Sequence, residues 1–243
     1  GAEGRRSQVR EWAAIPTLSW SARQSGIATT IAHEKPHGGR AVQHFLPGGP
    51  FALLPLPGNR SCITWSEETA AAERVMALDD AAFLAEVDRR AAGRLGELSL
   101  AGPRGSWPLS FVIARRLVAP GIALVGDAAH GVHPIAGQGL NLGLKDVAAL
   151  AEVLADGMRV GLDAADGTIL DRYQRWRRFD NATSLAAYTA LNLLFSNDWT
   201  VLRAARDAGL GIVDRLVGLK RVLVDEAAGL TGDVPRLLKG ERV

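Results

Sequence analysis

Apolar and polar positions divide the chain into two patterns that change near residue 120. Before that point, short runs rich in β-branched, aromatic and apolar residues recur: Ile27 to His33, Gly39 to Leu46, Phe51 to Leu56 and Arg60 to Ser66. Turn-forming clusters separate them, Lys35-Pro36-His37-Gly38, Pro47-Gly48-Gly49-Pro50 and Pro57-Gly58-Asn59, where Pro pre-sets and Gly permits the dihedrals of tight turns. Links this short join antiparallel neighbours, because a parallel pair needs a long crossover. The pattern predicts a meander of four strands. Asp79-Asp80 then caps a helix reaching to about Leu95, with Phe83, Leu84, Val87, Ala91 and Leu95 at helical spacing. Ser106 to Val118 alternates as a further strand. Ile122 to Val125 is wholly apolar, as in a central strand buried on both faces.

After Gly139 the period becomes helical. Leu140, Leu144, Val147, Leu150 and Leu154 mark a helix from Leu140 to about Ala155, and further helices are predicted at about 167–190, 197–208 and 212–228. No repeat and no low-complexity linker interrupts the chain.

Composition narrows the class. With 243 residues, 47% hydrophobic and 22% charged, the chain has material for one large or two small packed domains, and extensive disorder is excluded. The single cysteine, Cys62, excludes a disulfide framework and any multi-cysteine metal site, and it fits a reducing compartment. Net charge is +2, carried on 24 Arg and four Lys in scattered clusters such as Arg5-Arg6, Arg115-Arg116 and Arg172, Arg175, Arg177 and Arg178. Aromatics make up 6% and do not interleave with these clusters, which argues against a nucleic-acid partner. No apolar run approaches the ~20 residues of a membrane span, and no signal peptide opens the chain. The start at Gly1-Ala2-Glu3-Gly4, without Met, reads as the middle of a longer protein.

The chemistry concentrates in Ile122 to Asp146, IALVGDAAHGVHPIAGQGLNLGLKD. A buried strand ends at Gly126, which places Asp127 just beyond its carboxyl end, the edge where open α/β sheets bind ligands. Gly131, Pro134, Gly137 and Gly139 follow in a loop whose glycines allow positive φ and close backbone approach. A helix then begins, with free N–H groups and the positive end of its dipole turned to the loop. Such an arrangement suits a ligand offering hydroxyls to a carboxylate and an electron-rich group to a helix N-terminus, as a nucleotide-type cofactor does. Two other readings stand beside it. Asp127, His130 and His133 are potential metal ligands spaced by three, although Gly131 and Pro134 oppose a regular helix there. The segment also reads as a plain strand-to-helix turn with Asp127 as helix cap.

Gly126-Asp127-Ala128-Ala129-His130, then Pro134, Gly137-Gln138-Gly139 and Asn141, resembles the second flavin-binding motif of FAD-dependent aromatic hydroxylases of the para-hydroxybenzoate hydroxylase type. The longer string from His133 to Gly143 is most similar to their ubiquinone-biosynthesis branch, the octaprenylphenol hydroxylases and their mitochondrial relatives. Gly1 to Arg10 resembles the family's middle Asp-Gly motif, with Glu3 where Asp is usual. The tail from Leu191 to Asp198, with Arg203, Arg206 and Pro235-Arg236-Leu237, resembles the same branch.

The resemblance implies an α+β or α/β fold: the carboxyl-terminal part of a FAD-dependent hydroxylase, with an antiparallel substrate-side sheet and a helical tail. The N-terminal dinucleotide-binding βαβ is not in this sequence, which contains no Gly-x-Gly-x-x-Gly turn. The implied division is 1–26 for the end of the middle motif, 27–118 for the substrate-side sheet and helix, 119–160 for the second flavin motif, and 161–243 for the helical region.

By the same resemblance the whole protein is a monooxygenase. NAD(P)H binds transiently and reduces FAD, and a flavin C4a-hydroperoxide then hydroxylates the ring of a polyprenylated phenol. Asp127 is then expected on a ribityl hydroxyl, and the backbone at Gly139, Leu140 and Asn141 on the flavin N1/O2 edge. Pro134, Gly137 and Gln138 would shape the loop beside the ring system, with Glu3 and Gly4 contributing from the middle motif. The 243 residues alone are expected to hold FAD weakly or not at all. The competing reading is a non-catalytic module kept for partner contacts without cofactor.

Phe45, Phe51, Leu53, Leu54 and Leu56 are candidates to line an apolar pocket, though most are expected in the core. His33, His37 and His44 read as solvated, and no general base can be named. The implied location is cytoplasmic. Leu210, Ile212, Val213, Leu216 and Val217, beside Arg215, Lys220 and Arg221, suit either packing against the body or peripheral contact with the inner membrane. Association with other ubiquinone-biosynthesis proteins is the remaining partner expectation.

Overall fold

The computed structural model describes residues 1–132, 134, 137, 139–195, 211, 216, 218, 220, 221, 224 and 232–243. The helix expected at 197–208 lies outside these residues, as does most of the one expected at 212–228. Of the tail's membrane-facing candidates, only Leu216, Lys220 and Arg221 fall within them. The chain forms two compact units, one from 1–20, 110–190 and 200–243, the other from 21–109 and 191–199.

The second unit is a sheet covered on one face by helices. Its strands are β1 (Thr17–His33), β2 (Val42–Leu46), β3 (Gly49–Leu56), β4 (Arg60–Glu68), β5 (Leu98–Leu100) and β6 (Gly105–Ala114), of which β1 and β6 begin or end in the first unit. Spatial order is β2-β3-β4-β1-β6, with β5 also on β1. The expected four-strand meander is therefore corrected. Only β2, β3 and β4 form one, and β1 lies on the far side of β4, in register from Gln24 opposite Glu68 to Ala32 opposite Arg60. The eight-residue link 34–41 is too long for a tight hairpin, which leaves β1 free to pair elsewhere. β1 also starts ten residues before Ile27, because Thr17–Gly26 is too polar to read as a buried strand.

Alternate residues of these strands, Ile27, Ile31, Phe51, Leu53, Ile63 and Trp65, pack with Ala72, Val75, Phe83, Val87 and Ala91 from α2 (Thr69–Met76) and α3 (Asp80–Ala91). Asp79 caps α3 as expected, with Oδ1 accepting from Ala82 N at 2.8 Å. α3 stops at Ala91, short of Leu95, where Ala92 and Gly93 both turn left-handed. Phe51 and Leu53 thus belong to the core, while Phe45 and Leu54 keep more than a third of their surface exposed.

In the first unit, α1 (Gln8–Trp12) precedes β1, and β7 (Val118–Ala119) pairs with β8 (Ile122–Ala123). The run expected as a doubly buried central strand is shorter than its apolar stretch. Ile122 and Ala123 are half-buried and only Leu124 is fully enclosed. Gly1 hydrogen-bonds the same run in a parallel pattern, its N to Ala123 O and Val125 N to its O. A short β9 (His130–Gly131) pairs with β6, and two long helices follow, α4 (Gly139–Arg159) and α5 (Gly167–Phe195).

The face of α4 differs from expectation. Leu140, Leu144 and Val147 are 73%, 48% and 50% exposed, and the buried positions are Leu142, Asp146, Ala149 and Val153. Small residues face inward because α4 lies close to the strand end, where a Cβ on Gly143 would stand 3.2 Å from Gly126 Cα.

Candidate functional site

The site grows from Gly126. Its φ of +59° is a left-handed conformation that glycine adopts without steric cost, and it opens a single 3₁₀ turn, Gly126–Ala128. Gly126 N donates to Asp146 Oδ2 at 3.0 Å. The chain then reverses so that the next side chain, Asp127, stands 41% exposed. Asp127 Oδ2 accepts from Arg5 Nε at 3.1 Å. Among the described residues Oδ1 has no partner.

Two arginines from the N-terminal segment brace this turn. Arg5 also donates from Nη1 to Ser110 O at 2.9 Å and from Nη2 to Val132 O at 2.8 Å. Arg10, buried, donates to Ala128 O at 2.9 Å and to Arg5 O at 2.7 Å.

Beneath the turn lies a buried polar cluster. Asp146 Oδ2 meets His130 Nε2 at 2.5 Å, and Oδ1 accepts from Arg177 Nε at 2.8 Å. Arg177 also donates to Asp180 at 2.7 Å and to Asn181 at 2.9 Å. Burial alone would push the Asp146 carboxyl up. The hydrogen bond and charge of His130, then those of Arg177, outweigh burial and hold it below the ordinary aspartate value. Nearby Tyr173, whose ionisation is pushed up by burial and then by Asp146, donates to Leu124 O at 2.7 Å.

The loop and helix complete the surroundings. Gly131, expected as a flexible loop glycine, is in β9 without positive φ. Its missing Cβ makes room for Arg5, since a methyl there would lie 2.8 Å from Arg5 Nε. Pro134 and Gly137 form an exposed turn, with Gly137 N on Pro134 O at 3.0 Å and a φ of +63° at Gly137. Gly139 begins α4, and Leu140 and Asn141 in its first turn are exposed. Gln138 and His133 lie outside the described residues.

Glu3 faces a different task. Its Oε1 accepts from Val9 N at 2.8 Å in the first turn of α1, and that bond holds its carboxyl below the usual range. Gly4, at φ +89°, turns the chain from Glu3 into Arg5. The structure thus brings Asp127 to Arg5, a residue that sequence reasoning passed over, rather than to Glu3.

The donor set fits a flavin dinucleotide. The half-exposed Asp127 keeps one carboxylate oxygen, without a partner among the described residues, that could accept from a hydroxyl. The first turn of a 21-residue helix, with no acidic residue in it, offers N–H groups that have no intrahelical partner. The left-handed Gly137 lets the backbone come close to a ligand, with no heavy atom of the described residues within 4 Å of the Cβ position. His130 turns Nε2 to Asp146, and its buried Nδ1 has no partner among the described residues.

Residues 1–185 match the family described as FAD binding domain. The chain belongs to that family. Among curated relatives it is 47% identical to "Ubiquinone hydroxylase UbiL" of Rhodospirillum rubrum, over 99% of this chain and 57% of that protein. It is 37% identical to "3-demethoxyubiquinol 3-hydroxylase" of Escherichia coli, over 95% and 59%. The chain therefore spans somewhat more than half the length of these relatives. Among solved structures, p-nitrophenol 4-monooxygenase PnpA of Pseudomonas putida shares the fold at a TM-score of 0.75 and 19% identity, covering 96% of this chain and 58% of that one. PqsL of Pseudomonas aeruginosa matches at a TM-score of 0.69 and 25% identity, over 81% and 56%. The expected fold class, a FAD-dependent hydroxylase with antiparallel sheet and helices, agrees with these likenesses.

The histidines of the second unit are occupied. His33 is buried rather than solvated, with Nδ1 at 2.8 Å from Lys35 O and Nε2 at 3.1 Å from Ser61 Oγ. His37 contacts Leu56 O and Gly58 O, and His44 contacts Arg90 O.

Proposed function

We propose that this chain forms the flavin-facing part of a monooxygenase that hydroxylates the aromatic ring of a polyprenylated phenol in ubiquinone biosynthesis. The observation that carries the reading is Asp127, held half-exposed at a strand end with one oxygen anchored and one open, in the same motif as the N-terminus of α4. The names of the relatives supply the reaction and substrate class.

FAD, reduced by NAD(P)H, supplies the oxygen-activating redox chemistry when bound; position, dryness and electrostatics are left to the protein. Asp127 Oδ1 accepts a ribityl hydroxyl. The N–H groups at Gly139, Leu140 and Asn141, with the positive end of the α4 dipole, stabilise negative charge at the electron-rich edge of the ring system, around N1 and O2. Pro134 and Gly137 would shape the turn beside the ring system, and Gln138 is assigned to the same cofactor site. Glu3 and Gly4 contribute by setting the backbone that delivers Arg5. We assign 1–26 and 119–160 to the cofactor side, 27–118 to the substrate side and 161–243 to the helical remainder. The first unit holds 1–20 and 110–190 together, and with them 200–243.

Because no Gly-x-Gly-x-x-Gly turn occurs in these 243 residues, the chain alone is expected to hold FAD at best weakly, and the test uses the full-length protein. Asp127→Ala is expected to lower the flavin-to-protein ratio after purification. Unchanged flavin content would remove Asp127 from the cofactor site and sink the reading.

A further inference from the structure

Arg5 makes one hydrogen bond from each of its three side-chain nitrogens, to three separate stretches of chain: Asp127 Oδ2 at 3.1 Å, Ser110 O at 2.9 Å and Val132 O at 2.8 Å. Only 31% of the side chain is exposed. Its stem crosses the strand at Gly131, where a Cβ would lie 2.8 Å from Nε and 3.1 Å from both Cγ and Cδ, so that a methyl group there would push Arg5 out of this position. Its backbone is held too, by Arg10, which bonds Arg5 O and Ala128 O together. A guanidinium fixed at two carbonyls presents its third donor in a set direction, because the fork is planar and rigid.

The consequence falls on Asp127. A half-exposed carboxylate ordinarily samples several rotamers, and a ligand must freeze them on binding. With Oδ2 tied to a braced guanidinium, the carboxylate is already oriented and only Oδ1 is left to accept. Pre-organisation of this kind converts directly into affinity, since the entropy of ordering that side chain is no longer lost on binding.

We propose that Arg5 is the positioning residue of the cofactor site. It fixes the Asp127 carboxylate so that Oδ1 meets the hydroxylated chain of the flavin, and residue 131 is glycine so that Arg5 can cross it. The proposal rests on the reading that Asp127 binds flavin. It assigns no chemical step to Arg5.

The test is a double-mutant cycle in the full-length protein, with FAD dissociation constants measured by fluorescence titration of apoprotein and melting temperatures recorded alongside. Asp127→Ala is expected to weaken FAD binding on the order of tenfold or more, the scale of a lost charged hydrogen bond, and Arg5→Met by roughly five- to tenfold, the scale of leaving one side chain to be ordered on binding. In the Asp127→Ala background, Arg5→Met is expected to add less than about threefold, because the residue it positions is gone. A merely structural Arg5 would cost as much in either background, and that result overturns the proposal. Arg5→Lys, which keeps the charge and loses the fork, is expected to recover only part of the affinity and also guards against failure to fold. Full recovery by lysine would make charge, not position, the operative property and would equally overturn it. If Asp127→Ala weakens binding while Arg5→Met does not, the positioning role alone fails. If Asp127→Ala itself leaves the constant unchanged, the flavin reading fails and the positioning role with it.

Discussion

The two units bury different things. In the second unit Ile27, Ile31, Phe51, Ile63, Trp65, Phe83 and Val87 meet across a sheet and two helices, and the polar side chains buried there, such as His33, Ser61 and Ser66, include no carboxylate or guanidinium among the described residues. The first unit encloses Leu124, Ala149, Val153 and Tyr173 in the same way, yet fully buries Asp146 and Arg177 beside them. An apolar core is held by area and shape, and it tolerates exchange of one hydrophobic side chain for another of similar volume. A buried ion pair is directional, and what it specifies here is the backbone at Gly126, one residue from the candidate ligand carboxylate. The costly arrangement lies under the site, and the permissive one under the sheet.

Removing one partner of the buried pair is the harshest way to break this contrast. Asp146→Ala leaves Arg177 without its main counter-charge and frees Gly126 N and His130 together. Loss of a partner from a buried pair costs about 3–5 kcal/mol, and denaturant unfolding of the full-length protein should show a loss of that size. A change under about 1 kcal/mol would mean that the pair is not the keystone of the first unit.

Protons provide a milder lever. His130, Arg177 and Asn181 face Asp146, and its folded carboxyl titrates below the unfolded value near 3.9. The stability it contributes is therefore complete above about pH 4 and is lost as pH falls through the lower folded value. Stability measured from pH 6 downward should decline in that acid range, more steeply in the native protein than in Asp146→Asn, which has no carboxyl there to titrate. Equal slopes would place the acid sensitivity elsewhere, among half-buried carboxylates such as Glu86 and Asp156, which are also held low by arginines.

The contrast also explains what could be read from residues alone. Gly126, Asp127 and the glycine-spaced loop announce themselves, because left-handed turns and close approaches demand particular residue types. Most of the second unit's strands and the capped helix at Asp79 are legible for a similar reason, since alternation and capping are local. Asp146 is not local in this sense. It occupies the buried face of α4 with Leu142, Ala149 and Val153, spaced four, three and four apart, and a charge within such a stripe was the available signal. The larger Leu140, Leu144 and Val147 draw attention to the wrong face, although close helix packing favours the small side chains of Ala148 and Ala149. Arg177 repeats the pattern on α5, at helical spacing from Leu170, Tyr173 and Asn181. Arg5 leaves no periodic trace, because its three partners lie more than a hundred residues away in sequence.

The smallest perturbation sharpens the comparison from the permissive side. Ile31 is fully buried between its strand neighbours and the helices, with no polar group depending on it. Ile31→Val removes one methylene and leaves a small void, an effect of about 0.5–1.5 kcal/mol on unfolding. The hydrogen bonds described around Gly126 are made within the first unit, so the flavin content of the full-length protein should stay at the native level while the melting temperature falls. A parallel fall in flavin content would show that the apolar core also governs the geometry of the site, and the division of labour between the two cores would then not hold.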